Sequence, residues 1–181
     1  YEIVSENKLR ELIINGEDLS RVITSKVTNM DNLFYCDLYE YSDCPENRAY
    51  VVNGEISHWD VSNVVYMRKI FMNSTNIPSI EDWDVSNLLY ADSMFNGTDL
   101  NQDLSSWNTS NLISSMRMFV ASSFNNNSIA NWDVSNVINM RMMFGNNGES
   151  SPFNQDISSW DVSNVTDMYG MFSQSDFDQD I

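Results

Sequence analysis

The side chains in this sequence that could do chemistry are acidic, and they recur. Asp60, Asp84, Asp133 and Asp161 each follow a tryptophan, and Asn108 takes the same place after Trp107. If successive copies of the pattern stack, neighbouring carboxylates stand roughly one strand spacing apart, about 5 Å. Such a strip would attract a cation or a basic ligand. It would equally serve as a solvated face that blocks edge-to-edge association. Calcium needs six to eight oxygen ligands in a cage, and no loop of that kind is written here. No cofactor is therefore expected, and calcium on the acidic column is set behind that reading. His58 is the single histidine, so a multi-histidine metal centre is excluded, and no Ser or Cys sits in a nucleophile motif. Carboxylate pairs of the glycosidase kind do not stand out from the repeated background, which leaves a carbohydrate-active enzyme as the weakest reading. Cys36 and Cys44 share one short segment and could close a small loop or stay as thiols.

These residues belong to an internal repeat. Trp59, Trp83, Trp107, Trp132 and Trp160 are separated by 24, 24, 25 and 28 residues. Each opens a phrase whose clearest copy runs Trp160-Asp-Val-Ser-Asn-Val-Thr-Asp-Met-Tyr-Gly-Met-Phe172. A degenerate copy begins at Val22, and an insert near 35–49 separates it from the next. The phrase Phe177-Asp-Gln-Asp-Ile181 opens a seventh copy that stops part-way, so the chain is expected to be part of something longer. Units this short cannot bury an apolar face alone and must stack. The expected organisation is an N-terminal cap over 1–20 and about six coils of about 24–28 residues over 21–181.

Within a copy, Trp160 and Val162 at a spacing of two predict a short strand with Asp161 on its other face. Met168, Met171 and Phe172 at i, i+3 and i+4 predict a helical turn. The fold class expected is thus an α/β repeat, with short parallel strands on a concave face and helical turns on the other. Ser5 can begin a capping helix whose Leu9, Leu12 and Ile13 share a face, and Gly16 can end it. The Asn63, Asn87, Asn111, Asn136 and Asn164 column reads as a structural ladder, and the eleven methionines read as core.

Net charge is −17, which argues against nucleic acid and favours cations or basic proteins. No apolar run is long enough to span a bilayer, so direct insertion is not expected.

The tandem Trp-Asp-Val-Ser-Asn-Val-Thr-Asp-Met-Tyr-Gly-Met-Phe phrase, led by Phe153-Asn-Gln-Asp-Ile-Ser, resembles the BspA-like leucine-rich repeats of bacterial surface proteins, including those of mollicutes. The resemblance covers Gly16 to Ile181. It implies a right-handed leucine-rich-repeat solenoid, an extracellular or cell-surface location, and a role in adhesion or ligand binding; it supplies no catalytic residues. Ala91 and Ser115 in place of Met, and Asn108-Thr109 in place of Asp-Val, depart from the pattern.

The function expected is non-enzymatic recognition of a protein or glycan. Contacts are expected from Asp60, Asp84, Asn108, Asp133 and Asp161 on the concave face, or from Tyr35, Tyr39 and Tyr41 in the insert, since tyrosine is enriched at interfaces. The alternative is a structural or assembly solenoid of an envelope or particle.

Overall fold

The computed structural model describes residues 1–35, 49–146, 148 and 150–180. Cys36, Tyr39, Tyr41 and Cys44 lie outside the described residues, and so do the readings that rest on them.

The chain starts with β1 (Glu2–Ile3), α1 (Glu6–Ile14) and β2 (Val22–Ile23), and β1 pairs with β2 in parallel. The Ser5 hydroxyl accepts the Lys8 N–H at 3.3 Å, satisfying one of the donors a helix start leaves free. Gly16, at φ +69°, carries the chain out of the helix in a left-handed conformation that costs glycine little. Leu9 and Ile13 are buried in the same core as the repeats, and Leu12 packs against it.

Beyond β2, a three-residue 3-10 helix at Asn127–Ile129 is the only further regular element among the described residues. The rest is a regular repeat built from turns. In one copy, Trp59 N–H donates to Ile56 O (3.0 Å), Val64 N–H to Val61 O (2.9 Å), Ile70 N–H to Met67 O (3.3 Å) and Ser74 N–H to Phe71 O (2.8 Å). The copy at Trp160 repeats all four, at 3.0, 3.0, 3.1 and 3.2 Å.

Two expectations are corrected by this. The Trp-Asp-Val segment is not a strand, because turns flank it on both sides. The Met-x-x-Met-Phe segment is not helical. The residue two after the first Met column sits at positive φ in every copy: Asn32, Lys69, Ser93, Arg117, Met142 and Gly170, at 57°, 55°, 56°, 57°, 52° and 63°. A left-handed residue cannot continue a right-handed helix. The N–H groups that a helix would keep inside itself go to the next repeat instead. Met67, Lys69, Phe71 and Asn73 donate to the carbonyls of Tyr90, Asp92, Met94 and Asn96 at 3.0, 2.9, 3.2 and 2.8 Å. The parallel bridges run Asn29, Tyr66, Tyr90, Ser114, Asn139, Asp167, so the strand-like contact lies just before the first Met of each copy.

The core is a set of columns. Phe34, Phe71, Phe95, Phe119, Phe144 and Phe172 stack with centroid spacings of 5.4, 6.0, 5.5, 5.6 and 6.0 Å. Trp59 stacks on Trp83 at 6.3 Å and Trp107 on Trp132 at 6.1 Å. These are favourable offsets for aromatic pairs, and each ring buried this way stabilises the fold by about 1.5–3 kcal/mol. The indoles also form a polar ladder. The N–H groups of Trp83, Trp107, Trp132 and Trp160 donate to the carbonyls of Ile56, Ile80, Leu104 and Ile129 in the preceding repeat at 3.0–3.1 Å. Departures from the pattern are accommodated. Thr109 Oγ1 donates to Asp133 O at 3.0 Å, and the Ser115 hydroxyl donates to Met143 Sδ at 3.3 Å.

Candidate ligand-contact surface

The acidic column is exposed, as its sequence position suggested, but its oxygens are engaged locally. Oδ1 of Asp60, Asp84, Asn108, Asp133 and Asp161 accepts the backbone N–H of the serine two residues on, at 3.0–3.1 Å. Each closes an Asx turn. An amide oxygen accepts as well as a carboxylate, so Asn108 fits the column without changing its geometry. The Ser86, Ser135 and Ser163 hydroxyls, and then their N–H groups, donate to the charged carboxylates and hold Asp84, Asp133 and Asp161 below the ordinary aspartate range. Among the described residues no cluster of three or more His, Cys, Asp or Glu is placed to hold a metal ion.

The next residue type is structural too. Nδ2 of Asn63, Asn87, Asn111, Asn136 and Asn164 donates to the carbonyls of Ser25, Ser62, Ser86, Ser110 and Ser135 in the preceding repeat at 2.7–3.1 Å. His58 lies at the surface with Nε2 3.1 Å from Val22 O. Tyr35, expected to be exposed, is buried. It directly follows core residue Phe34 and bridges Ala49, itself buried, in antiparallel fashion.

Sequence reasoning passed over the surface that remains. Around the bridge column, most residues flanking the first Met position are at least partly exposed, Ser93, Ser114 and Met142 being the buried ones. The outermost file is aliphatic: Val65, Leu89 and Ile113 are half-buried, and Ile138 is 47% exposed. Beside it, Tyr66 and Tyr90 stack with centroids 5.6 Å apart and planes within 6°. The Arg68 guanidinium lies 4.3 Å from the Tyr90 ring centre and 5.2 Å from that of Tyr66. It is held by Asp31 at 3.1 Å and Asp92 at 3.4 Å. Arg141 repeats the arrangement, 4.3 Å from the Tyr169 ring centre and 3.8 Å from Asp167. Lys69 Nζ lies 5.4 Å from the Tyr35 ring centre.

The signal for this surface was in the sequence. The two residues before the Met column read Val-Tyr, Leu-Tyr, Ile-Ser, Ile-Asn and Thr-Asp, varying between copies whose neighbours are nearly fixed. Aliphatic residues at outward positions of an otherwise Asp/Ser/Asn-rich surface need a reason.

A second apolar surface is the contact face of the last copy. Ile157, Trp160, Val162, Met168, Met171 and Phe172 line a concavity of about 440 Å³. Val162 and Met168 are each 39% exposed there, against 2% and 0% for Val134 and Met140, their equivalents one repeat earlier.

No curated protein and no solved structure matches the chain. A protein family does, over residues 6–122, 42–149 and 118–181, three overlapping stretches that follow the repeat. The chain belongs to that family, described as a Mycoplasma protein of unknown function, DUF285.

Proposed function

We propose that the chain is a non-enzymatic recognition module, a right-handed leucine-rich-repeat-like solenoid of the BspA type, carried on a cell surface or secreted, that binds a protein or glycan ligand. The observation behind this reading is the division of labour within each repeat. The Trp, Phe, Asp and Asn columns are spent on packing, turns and ladders, whereas the file of Val65, Leu89, Ile113 and Ile138 varies and stays accessible. It lies beside the parallel bridge column, which takes the role of the concave strand face in such a solenoid. Among the described residues, each carboxylate whose shift is resolved moves downward, the opposite of what a general acid needs.

The test is a binding screen of the whole chain on arrayed extracellular proteins and glycans. A variant with Leu89→Asp and Ile113→Asp should keep its circular dichroism spectrum and lose the ligand. Binding that survives this double change while the fold is intact would remove the surface from the proposal.

A further inference from the structure

Charge is segregated across this molecule in a way its total conceals. From Ala49 to Ile181 the sequence has four basic residues, Arg68, Lys69, Arg117 and Arg141, against sixteen acidic ones. All four basic residues fall at the two positions immediately after the first Met column, next to the aliphatic file. Only two of the sixteen acidic residues, Asp92 and Asp167, fall at the positions flanking that Met. Asp31 takes the matching position in the first copy, against Arg68, so four positive charges less three negative leave this strip at +1, on a chain whose total is −17.

The individual cations differ in what they have left to offer. Arg68 and Arg141 are paired with carboxylates and packed on tyrosine rings. Arg117 is exposed and has no carboxylate partner among the described residues. Its backbone is fixed by its left-handed turn and by its N–H bond to Arg141 O at 2.9 Å. The exposed guanidinium thus leaves a fixed backbone in the same repeat as Ile113, a fork suited to a carboxylate.

We infer that the strip of Val65, Leu89, Ile113 and Ile138 with Lys69 and Arg117 takes an extended polypeptide segment carrying a few carboxylates among apolar side chains. This rests on the recognition reading above and narrows it to one class of partner. It also reverses the expectation from net charge, which favoured a basic partner. Beyond about 8 Å at physiological salt the acidic surroundings are screened, so the local field of the strip decides which groups dock. A uniform polyanion would have to cross the flanking aspartate columns, whereas a segment with isolated carboxylates need not. Tyr66 and Tyr90 stack on each other and carry Arg68 over their rings, so this pair is already engaged and offers a sugar less ring surface than two free tyrosines would. Four repeat intervals from Val65 to Thr166 span about 19 Å, the length of about six extended residues.

The test pans a phage-displayed random peptide library on the whole chain at about 0.15 M salt, then measures selected peptides by fluorescence anisotropy. The expected sequences combine Asp or Glu with Leu, Ile, Val or aromatic residues. Arg117→Glu should weaken them at least about tenfold, and Asp84→Asn with Asp133→Asn should not. Circular dichroism melting checks that each variant is folded. Selection of basic peptides indifferent to Arg117→Glu, but lost in Leu89→Asp with Ile113→Asp, would overturn this inference and leave the recognition surface standing. Peptides indifferent to all these changes would overturn both. Binding of sulfated or uronate glycans through Arg117, with no peptide selected, would overturn the polypeptide assignment.

Discussion

Trp59 should behave unlike the other tryptophans when changed to phenylalanine. At Trp107 the indole N–H donates to Ile80 O at 3.0 Å, and that carbonyl also accepts the Trp83 N–H at 3.2 Å. Trp107→Phe therefore removes a buried hydrogen bond but leaves its acceptor one partner, a loss of about 1 kcal/mol. The smaller ring leaves a gap costing on the order of another 1–2 kcal/mol. At Trp59 the ring is also buried and stacked, on Phe34 at 6.1 Å and on Trp83 at 6.3 Å, but its Nε1 has no hydrogen-bond partner among the described residues. Trp59→Phe loses similar packing and no hydrogen bond, and it relieves an unsatisfied buried donor worth about 1–3 kcal/mol. The two variants should differ by about 2 kcal/mol in favour of Trp59→Phe, or about 4–8 °C in Tm for a chain of this size. Calorimetry is the assay, because tryptophan fluorescence changes with the substitution itself. Equal melting temperatures, or a lower one for Trp59→Phe, would refute the reasoning and with it the claim that the indole ladder contributes to stability.

Three further outcomes follow from the turns. Asp133→Asn should change stability by less than about 0.5 kcal/mol, since Asn108 already serves that role, while Asp133→Ala should cost about 1 kcal/mol in urea melts by leaving the Ser135 N–H without its acceptor. Asp18, Asp84, Asp103, Asp133, Asp156 and Asp161 all have pKa values lowered below the ordinary 3.8 by bonds from serines. Their contribution is thus full above the unfolded value and is lost as pH falls through the folded values. Stability should be flat from neutral pH down to about 4 and fall below it, with a shallower fall after Asp133→Asn in acid titrations followed by circular dichroism. Gly97→Ala should destabilise more than Gly16→Ala. Both sit at positive φ, but a Cβ on Gly97 would come within 2.5 Å of Asn73 Oδ1, whereas at Gly16 it meets nothing within 4 Å. The left-handed backbone alone costs about 1 kcal/mol, and paired melting curves would show the excess.

Which parts of this structure could be read from the sequence depends on which residues advertise themselves. The tryptophan and phenylalanine columns could be, because large rings in register must stack to leave water. The capping helix could be, from Ser5, the Leu9 and Ile13 face and Gly16. The turns could not. Met168, Met171 and Phe172 carry a helical spacing, and two linked turns bring the same residues to one side. Of the six left-handed residues that decide the matter, only Asn32 and Gly170 are types that favour such a backbone. Lys69, Ser93, Arg117 and Met142 adopt it because the neighbouring repeat takes their N–H groups, a tertiary cause that no local rule contains. The site followed the same logic. The aspartates drew attention through charge, yet a serine two positions on absorbs each of them. The aliphatic file drew none, because apolar residues were assumed to face inward.

The direction of the ladder has a consequence for how such an array can change in length. From Met67 to Asn73 each copy hands its N–H groups to the next, and each tryptophan from Trp83 onward reaches back to the one before. Every junction is therefore the same lock and key. A whole copy slipped in between two others meets a matching surface on both sides and disturbs no bond beyond its own borders, while a half copy leaves both neighbours out of phase. The unequal spacings of 24, 25 and 28 residues show where length is free to vary: extra residues enter the return loops, and the phase of the columns is kept. A frame of this kind can be lengthened or shortened in whole steps without redesign, and the outward file is then free to be rewritten one copy at a time.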